Sequence, residues 1–127
     1  MTGTNDRTVY VVDDDEAVLD SIKVLFESSG LEVRAFSSVD TFLADRAALK
    51  AACLIADIHM PGSGGLELLA QLQARGASIP TIMISGRTDP ALDHRVKQLG
   101  AVTLLQKPID DDELLLIVRS VLPPDVS

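Results

Sequence analysis

Short apolar runs alternate along the chain with longer stretches whose apolar residues recur every three to four positions. Val9–Val12 is a compact β-branched and aromatic run, the composition of a strand. From Asp15 to Ser28 the apolar positions are Val18, Leu19, Ile22, Leu25 and Phe26, one stripe of a helix, and Gly30 supplies its stop. Leu31–Phe36 alternates apolar with charged residues, which suits a half-exposed strand near a sheet edge. Ser38 is placed to cap a helix running from Val39 to about Lys50. Cys53–Ala56 is uniformly apolar, as a strand covered on both faces should be. The stretch 60–65 holds a proline and three glycines and predicts a loop. Leu66–Ala74 predicts a helix with Leu66, Leu69 and Leu72 on one side, and Thr81–Ile84 a β-branched strand behind Pro80. After a loop at 86–89, Pro90 can open a helix that Gly100 ends. Val102–Gln106 is a fifth strand, and Asp110–Leu122 a last helix with acids in its first turn, where the helix dipole favours them.

Five strands, each followed by a helix, imply an α/β fold: one parallel sheet with right-handed crossovers and helices on both faces. Five units are too few for an eight-fold barrel, so an open doubly wound sheet of order 2-1-3-4-5 is expected. The 127 residues suit one domain, with a core of about 8–122 and residues 123–127, opening on Pro123-Pro124, as a tail or the start of a linker. Met1–Arg7 lacks the apolar stretch of a secretory signal, and no apolar run approaches the ~20 residues needed to span a bilayer. The single cysteine, Cys53, excludes an internal disulfide and is read as core. A cytoplasmic chain is expected. The formal charge of −8 and the lack of any Lys/Arg cluster argue against direct nucleic-acid binding, and one Tyr, three Phe and no Trp offer no stacking surface.

In such a sheet, ligands bind beyond the carboxyl ends of the strands at the switch point between strands 1 and 3. The residues that follow the central strands are Asp13 and Asp14, then Asp57, then Ser85, then Lys107 with Pro108. Three carboxylates, a hydroxyl and an amine are thereby aimed at one edge. Hard oxygen donors select Mg²⁺, for which Mn²⁺ can substitute, and Mg²⁺ leaves room for a phosphate oxygen. Asp57, on the central strand, is the candidate nucleophile, with a backbone carbonyl from His59 as a further metal ligand. Lys107 would pair with phosphoryl oxygens and Ser85 would donate a hydrogen bond to them. Each residue also has a duller reading: Asp13–Glu16 as helix caps, Asp57 and Ser85 as turn residues, Lys107 as a solvated surface lysine. Their joint placement at the strand ends distinguishes the two. His59 and His94 lie too far apart, with no cysteine partner, for a zinc site.

These residues resemble the receiver domains of two-component response regulators. The likeness runs from about Val9 to Leu122 and rests on Asp13-Asp14, the segment Asp57-Ile58-His59-Met60-Pro61, Ser85-Gly86 and Lys107-Pro108, in that order. It implies that Asp57 takes a phosphoryl group from a sensor histidine kinase or a histidine phosphotransfer protein. It implies that Asp13, Asp14, Asp57 and the His59 carbonyl handle Mg²⁺, and that the Lys107–Pro108 bond is cis. Apart from self-phosphorylation and slow autodephosphorylation, no enzymatic turnover is expected. One departure stands out. The family commonly carries Tyr or Phe three residues before the strand-5 lysine, where this chain has Leu104, so the switch pairing of Ser85 with a rotating ring is not available in the usual form. His59 and Arg87 would flank the phosphoryl group and tune its removal by water. A homodimer through the helix 4–strand 5–helix 5 face is a further option, and the downstream target is open.

Two other functions fit the same topology. A haloacid-dehalogenase-type phosphatase also uses an Asp nucleophile, but with a second Asp two residues on, where this chain has His59. A flavodoxin-like FMN binder needs a hydroxyl- and Gly-rich phosphate loop after strand 1, where this chain has three acids.

Overall fold

A computed structural model describes residues 7–60, 62 and 64–123, without the side chains of residues 49 and 50. The residues before Arg7, together with Pro61 and Pro124, lie outside the described residues, and with them the readings of the N-terminal segment, the motif proline and the linker dipeptide. The elements run β1 (Val9–Val12), α1 (Glu16–Ser28), β2 (Val33–Phe36), α2 (Val39–Ala44), a 3₁₀ helix (Arg46–Lys50), β3 (Cys53–Asp57), α3 (Gly65–Ala74), β4 (Thr81–Ser85), α4 (Pro90–Gln98), β5 (Thr103–Gln106) and α5 (Asp111–Val121). All four strand pairings are parallel and the order is β2-β1-β3-β4-β5, as expected.

Strand alternation divides the core in two. Tyr10, Val12, Leu54, Ala56 and Met83 face α2, α3 and α4, where Val39, Phe42, Leu68, Leu69, Leu72 and Val96 meet them. Val9, Val11, Cys53, Ile55, Ile82 and Ile84 face α1 and α5, packing on Leu19, Ile22, Phe26, Leu114 and Val118. Successive residues of one strand thus feed opposite layers, which only a sheet covered on both faces permits. β1, β3 and β4 are buried throughout, whereas the edge strands β2 and β5 are largely half-buried or exposed.

Helix starts follow the sequence closely. Asp15 accepts from Ala17 N–H at 2.9 Å to cap α1, Ser38 caps α2, Asp89 caps α4 ahead of Pro90, and Asp110 caps α5. Two expectations need correction. The helix expected from Val39 to Lys50 breaks at Asp45, which is extended (φ −91°, ψ 111°) and restarts the chain as a 3₁₀ helix by accepting from Ala47 N–H. Arg34 of β2 holds the same carboxylate at 3.1 Å, a long-range tie that periodicity does not reveal. In α3, the buried side is Gly65, Leu68, Leu69 and Leu72, so Leu68 takes the core position assigned to Leu66, which is only half-buried.

Candidate functional site

The carboxyl ends of β1, β3 and β4 each close with the same local device, a side-chain oxygen accepting from the backbone N–H two residues on. Asp13 Oδ1 accepts from Asp15 N at 2.9 Å, Asp57 Oδ1 from His59 N at 3.0 Å, and Ser85 Oγ from Arg87 N at 3.1 Å. The ordinary turn chemistry is therefore present at all three positions. It uses the Oδ1 of each carboxylate and leaves Oδ2 for contacts within the site. Capping of α1 falls to Asp15, which releases Asp13 and Asp14 from that role.

Lys107 joins these ends. Its Nζ donates to Asp57 Oδ2 at 2.9 Å and lies 3.3 Å from Asp13 Oδ2. Asp13 and Asp57 are buried, at 1% and 4% exposure, while Asp14 is exposed and Lys107 half-buried. Burial pushes the Asp13 carboxyl up from 3.8 to about 6; the Asp15 N–H opposes this, the Asp57 charge adds to it, and Lys107 opposes it again. For Lys107, burial alone would lower the ammonium's pKa, but the hydrogen bond to Asp57 and the two carboxylate charges raise it above its ordinary value. The Lys107–Pro108 bond is cis.

Do these residues suit a divalent cation? Asp13, Asp14 and Asp57 each offer an oxygen within 4.8 Å of the others. Asp13 Oδ2 sits at ion-pair distance from Lys107 but outside hydrogen-bonding geometry, and among the described residues it is the buried side-chain oxygen with no hydrogen-bond partner. A buried carboxylate oxygen held by an ion-pair contact alone keeps its hydrogen-bonding capacity unused, which a second cation can take up. The donor set is all oxygen, which fits Mg²⁺.

Ser85 is fully buried at the end of β4, the strand beside β3. His59 and Arg87 are exposed on the loops after β3 and β4, each two residues beyond the strand end. Leu104 is half-buried on β5 and packs on the α2–α4 side of the core. His94 lies exposed on α4, and Cys53 is wholly buried, where burial lifts its thiol to about 12 against the effect of the Leu54 N–H.

Sequence reasoning passed over Gly65. A Cβ there would come within 2.5 Å of the Asp57 carbonyl oxygen and would also meet Met83 Cε, so α3 can approach the end of β3 only through glycine. The Gly64-Gly65 pair directly before an apolar helical run was the available signal. Thr88 and Gln106 were also passed over. The Thr88 hydroxyl donates to Gln106 Oε1 at 3.2 Å, across the rim of the site. Nothing in two exposed polar residues eighteen positions apart announces that contact.

Comparison with known proteins identifies the family. Residues 9–119 match the family described as the response regulator receiver domain. The chain is 43% identical over 114 residues to the transcriptional regulatory protein FixJ of Azorhizobium caulinodans, covering 90% of this chain and 54% of that protein. It is 40% identical over 114 residues to the response regulator protein TodT of Pseudomonas putida, covering 90% and 50%. The chain therefore spans about half the length of the curated relatives it matches. Among solved structures, the receiver domain of Francisella response regulator 1452 superposes with a TM-score of 0.85 at 25% identity, over 91% of this chain and 95% of that one. This chain belongs to the response regulator receiver domain family of two-component systems.

Proposed function

We propose that this chain accepts a phosphoryl group on Asp57 from a phosphohistidine of a sensor histidine kinase or histidine phosphotransfer protein. The observation that carries the reading is Lys107 bridging two buried carboxylates, Asp57 at 2.9 Å and Asp13 at 3.3 Å, with Asp14 close by. In the transfer, a carboxylate oxygen of Asp57 attacks phosphorus, a P–O bond forms, the P–N bond to the donor imidazole breaks, and the departing imidazole keeps a proton. Asp13, Asp14 and Asp57, with the His59 carbonyl, would hold Mg²⁺ or Mn²⁺, which supplies charge neutralisation for phosphoryl oxygens when bound. Lys107 gives up its contact with Asp57 for the phosphoryl oxygens as a point charge. Ser85 donates a hydrogen bond from its hydroxyl to the same group. Positioning and electrostatics are most of what phosphoryl transfer requires.

A groove of about 390 Å³ opens beside Lys107 between α1 and α5, with Ala17, Val18, Ile22, Pro108 and Ile109 among its lining, and suits the approach of a helical phosphodonor. His59 and Arg87 flank the phosphoryl group and set how fast water removes it. An unchanged dephosphorylation half-life in Arg87→Ala would remove Arg87 from that role. The protein acts as a switch rather than a turnover catalyst, signalling by protein contact, by phosphate relay or through an α4–β5–α5 homodimer in the cytoplasm. Among the described residues no helix is long and apolar enough to cross a membrane. The phosphatase and FMN alternatives gain no support: His59 stands where the phosphatase needs an acid, and the β1–α1 turn is acidic.

Incubation with a small phosphodonor tests the proposal. The expected product is a Mg²⁺-dependent, acid-stable and base-labile modification that is absent in Asp57→Asn. Labelling that persists in that variant defeats the assignment.

A further inference from the structure

We propose that the hydrogen bond from the Thr88 hydroxyl to Gln106 Oε1 is a latch, which holds the loop after β4 toward β5 and opposes engagement of Ser85 with a phosphoryl group on Asp57. The inference rests on the phosphoacceptor reading above and adds a control that acts through Ser85.

Sheet order carries the argument. β4 lies between β3 and β5, so Ser85 has Asp57's strand on one flank and Gln106's strand on the other. In register, Asp57 lies opposite Ile84 and Gln106 opposite Ser85. The Gln106 backbone stays in place when the loop moves, because it is fixed in the β4–β5 ladder and the next residue, Lys107, donates its N–H to the Ser85 carbonyl at 2.8 Å. Ser85 Oγ is tied to the loop by the Arg87 N–H at 3.1 Å, so hydroxyl and loop backbone move together. Thr88 follows Arg87 directly and reaches Gln106 at 3.2 Å. Movement of the hydroxyl toward Asp57 therefore carries Thr88 away from Gln106. The two contacts compete.

Nothing else on that side replaces the link. Among the described residues, no other side-chain hydrogen bond joins residues 86–89 to β5, and the aliphatic Leu104 can neither donate nor accept one. Residues 86–89 are all exposed, and the next fixed point is Asp89, which caps α4 through Leu92 N–H at 2.8 Å. The loop is thus held at its two ends and by one contact between them. Thr88 and Gln106 are positioning residues; neither touches the reacting atoms.

A neutral, exposed hydrogen bond is worth little, so the expected effect of removing it is about twofold to fivefold in an equilibrium. The test is the affinity for beryllofluoride, which stands in for the phosphoryl group on Asp57, measured by fluorine NMR in saturating Mg²⁺. Thr88→Val and Gln106→Leu should each bind about twofold to fivefold tighter than wild type. The double variant should gain no more than either single one, since all three lose the same bond. Thr88→Ser, which keeps the hydroxyl, should behave as wild type. Unchanged or weaker binding in Thr88→Val overturns the latch, as do multiplicative effects in the double variant or a changed thermal midpoint as the sole consequence. Absence of beryllofluoride binding by wild type overturns the phosphoacceptor reading and the latch with it, whereas wild-type binding that is lost in Asp57→Asn isolates the latch as the only claim at stake.

Discussion

The middle of the sheet and its carboxyl end are equally dry and have opposite chemistry. Between Val9 and Val12, and from Cys53 to Ala56, every side chain is buried and all but the Tyr10 hydroxyl and the Cys53 thiol are hydrocarbon, so burial itself stabilises. One residue further along, Asp13 and Asp57 are just as buried but carry carboxyl groups, and at Asp13 burial works against the charged form. The middle holds the fold, and its stability lets the end keep a carboxylate oxygen without a hydrogen-bond partner. Function sits where the sheet spends stability rather than where it gains it.

The contrast can be broken from either side. The largest effect belongs to the middle: Leu68→Ala removes a fully buried side chain, and denaturant unfolding should show a loss of about 2–5 kcal/mol while the folded fraction still labels on Asp57. At the carboxyl end the sign reverses. The folded pKa of Asp13 is about 6 against 3.8 as reference, so between these values the native state binds more protons than the unfolded chain, and metal-free stability falls as pH rises from about 4 to 6. Asp13→Asn should therefore be more stable than wild type in chelator above pH 6, by up to about 2–3 kcal/mol, with the gap closing below pH 4 and narrowing when Mg²⁺ is added. Gly65→Ala joins both regions, because its new Cβ presses on the Asp57 backbone; a loss of about 1–3 kcal/mol should come with slower modification of Asp57. The smallest effect is at Cys53. With its thiol raised to about 12 and fully buried, it should react with a disulfide reagent at pH 8 only as fast as the native state opens.

Where the sequence was legible, one rule explains why. A residue that ends an apolar run in a parallel sheet must emerge at the carboxyl edge, so Asp13, Asp57, Ser85 and Lys107 could be placed from the runs that precede them. What stayed hidden depends on contacts between distant segments. Asp45 interrupts an alanine-rich, helix-prone stretch, and its carboxylate answers to Arg34 on a neighbouring strand. The phase of α3 is set by Gly65 against the Asp57 carbonyl, which moves Leu68 rather than Leu66 into the core. Thr88 and Gln106 meet only because strand register brings Gln106 opposite Ser85.

The proposed function requires the acids at the strand ends to form a single cation site, and calorimetric titration of the metal-free chain with Mg²⁺ measures that directly. One binding site is predicted at pH 7.5, weaker at pH 5 because Asp13 must first lose its proton, and lost or much weakened in both Asp13→Asn and Asp57→Asn. Undiminished Mg²⁺ binding in those two variants, or no binding by the wild-type chain, would contradict it.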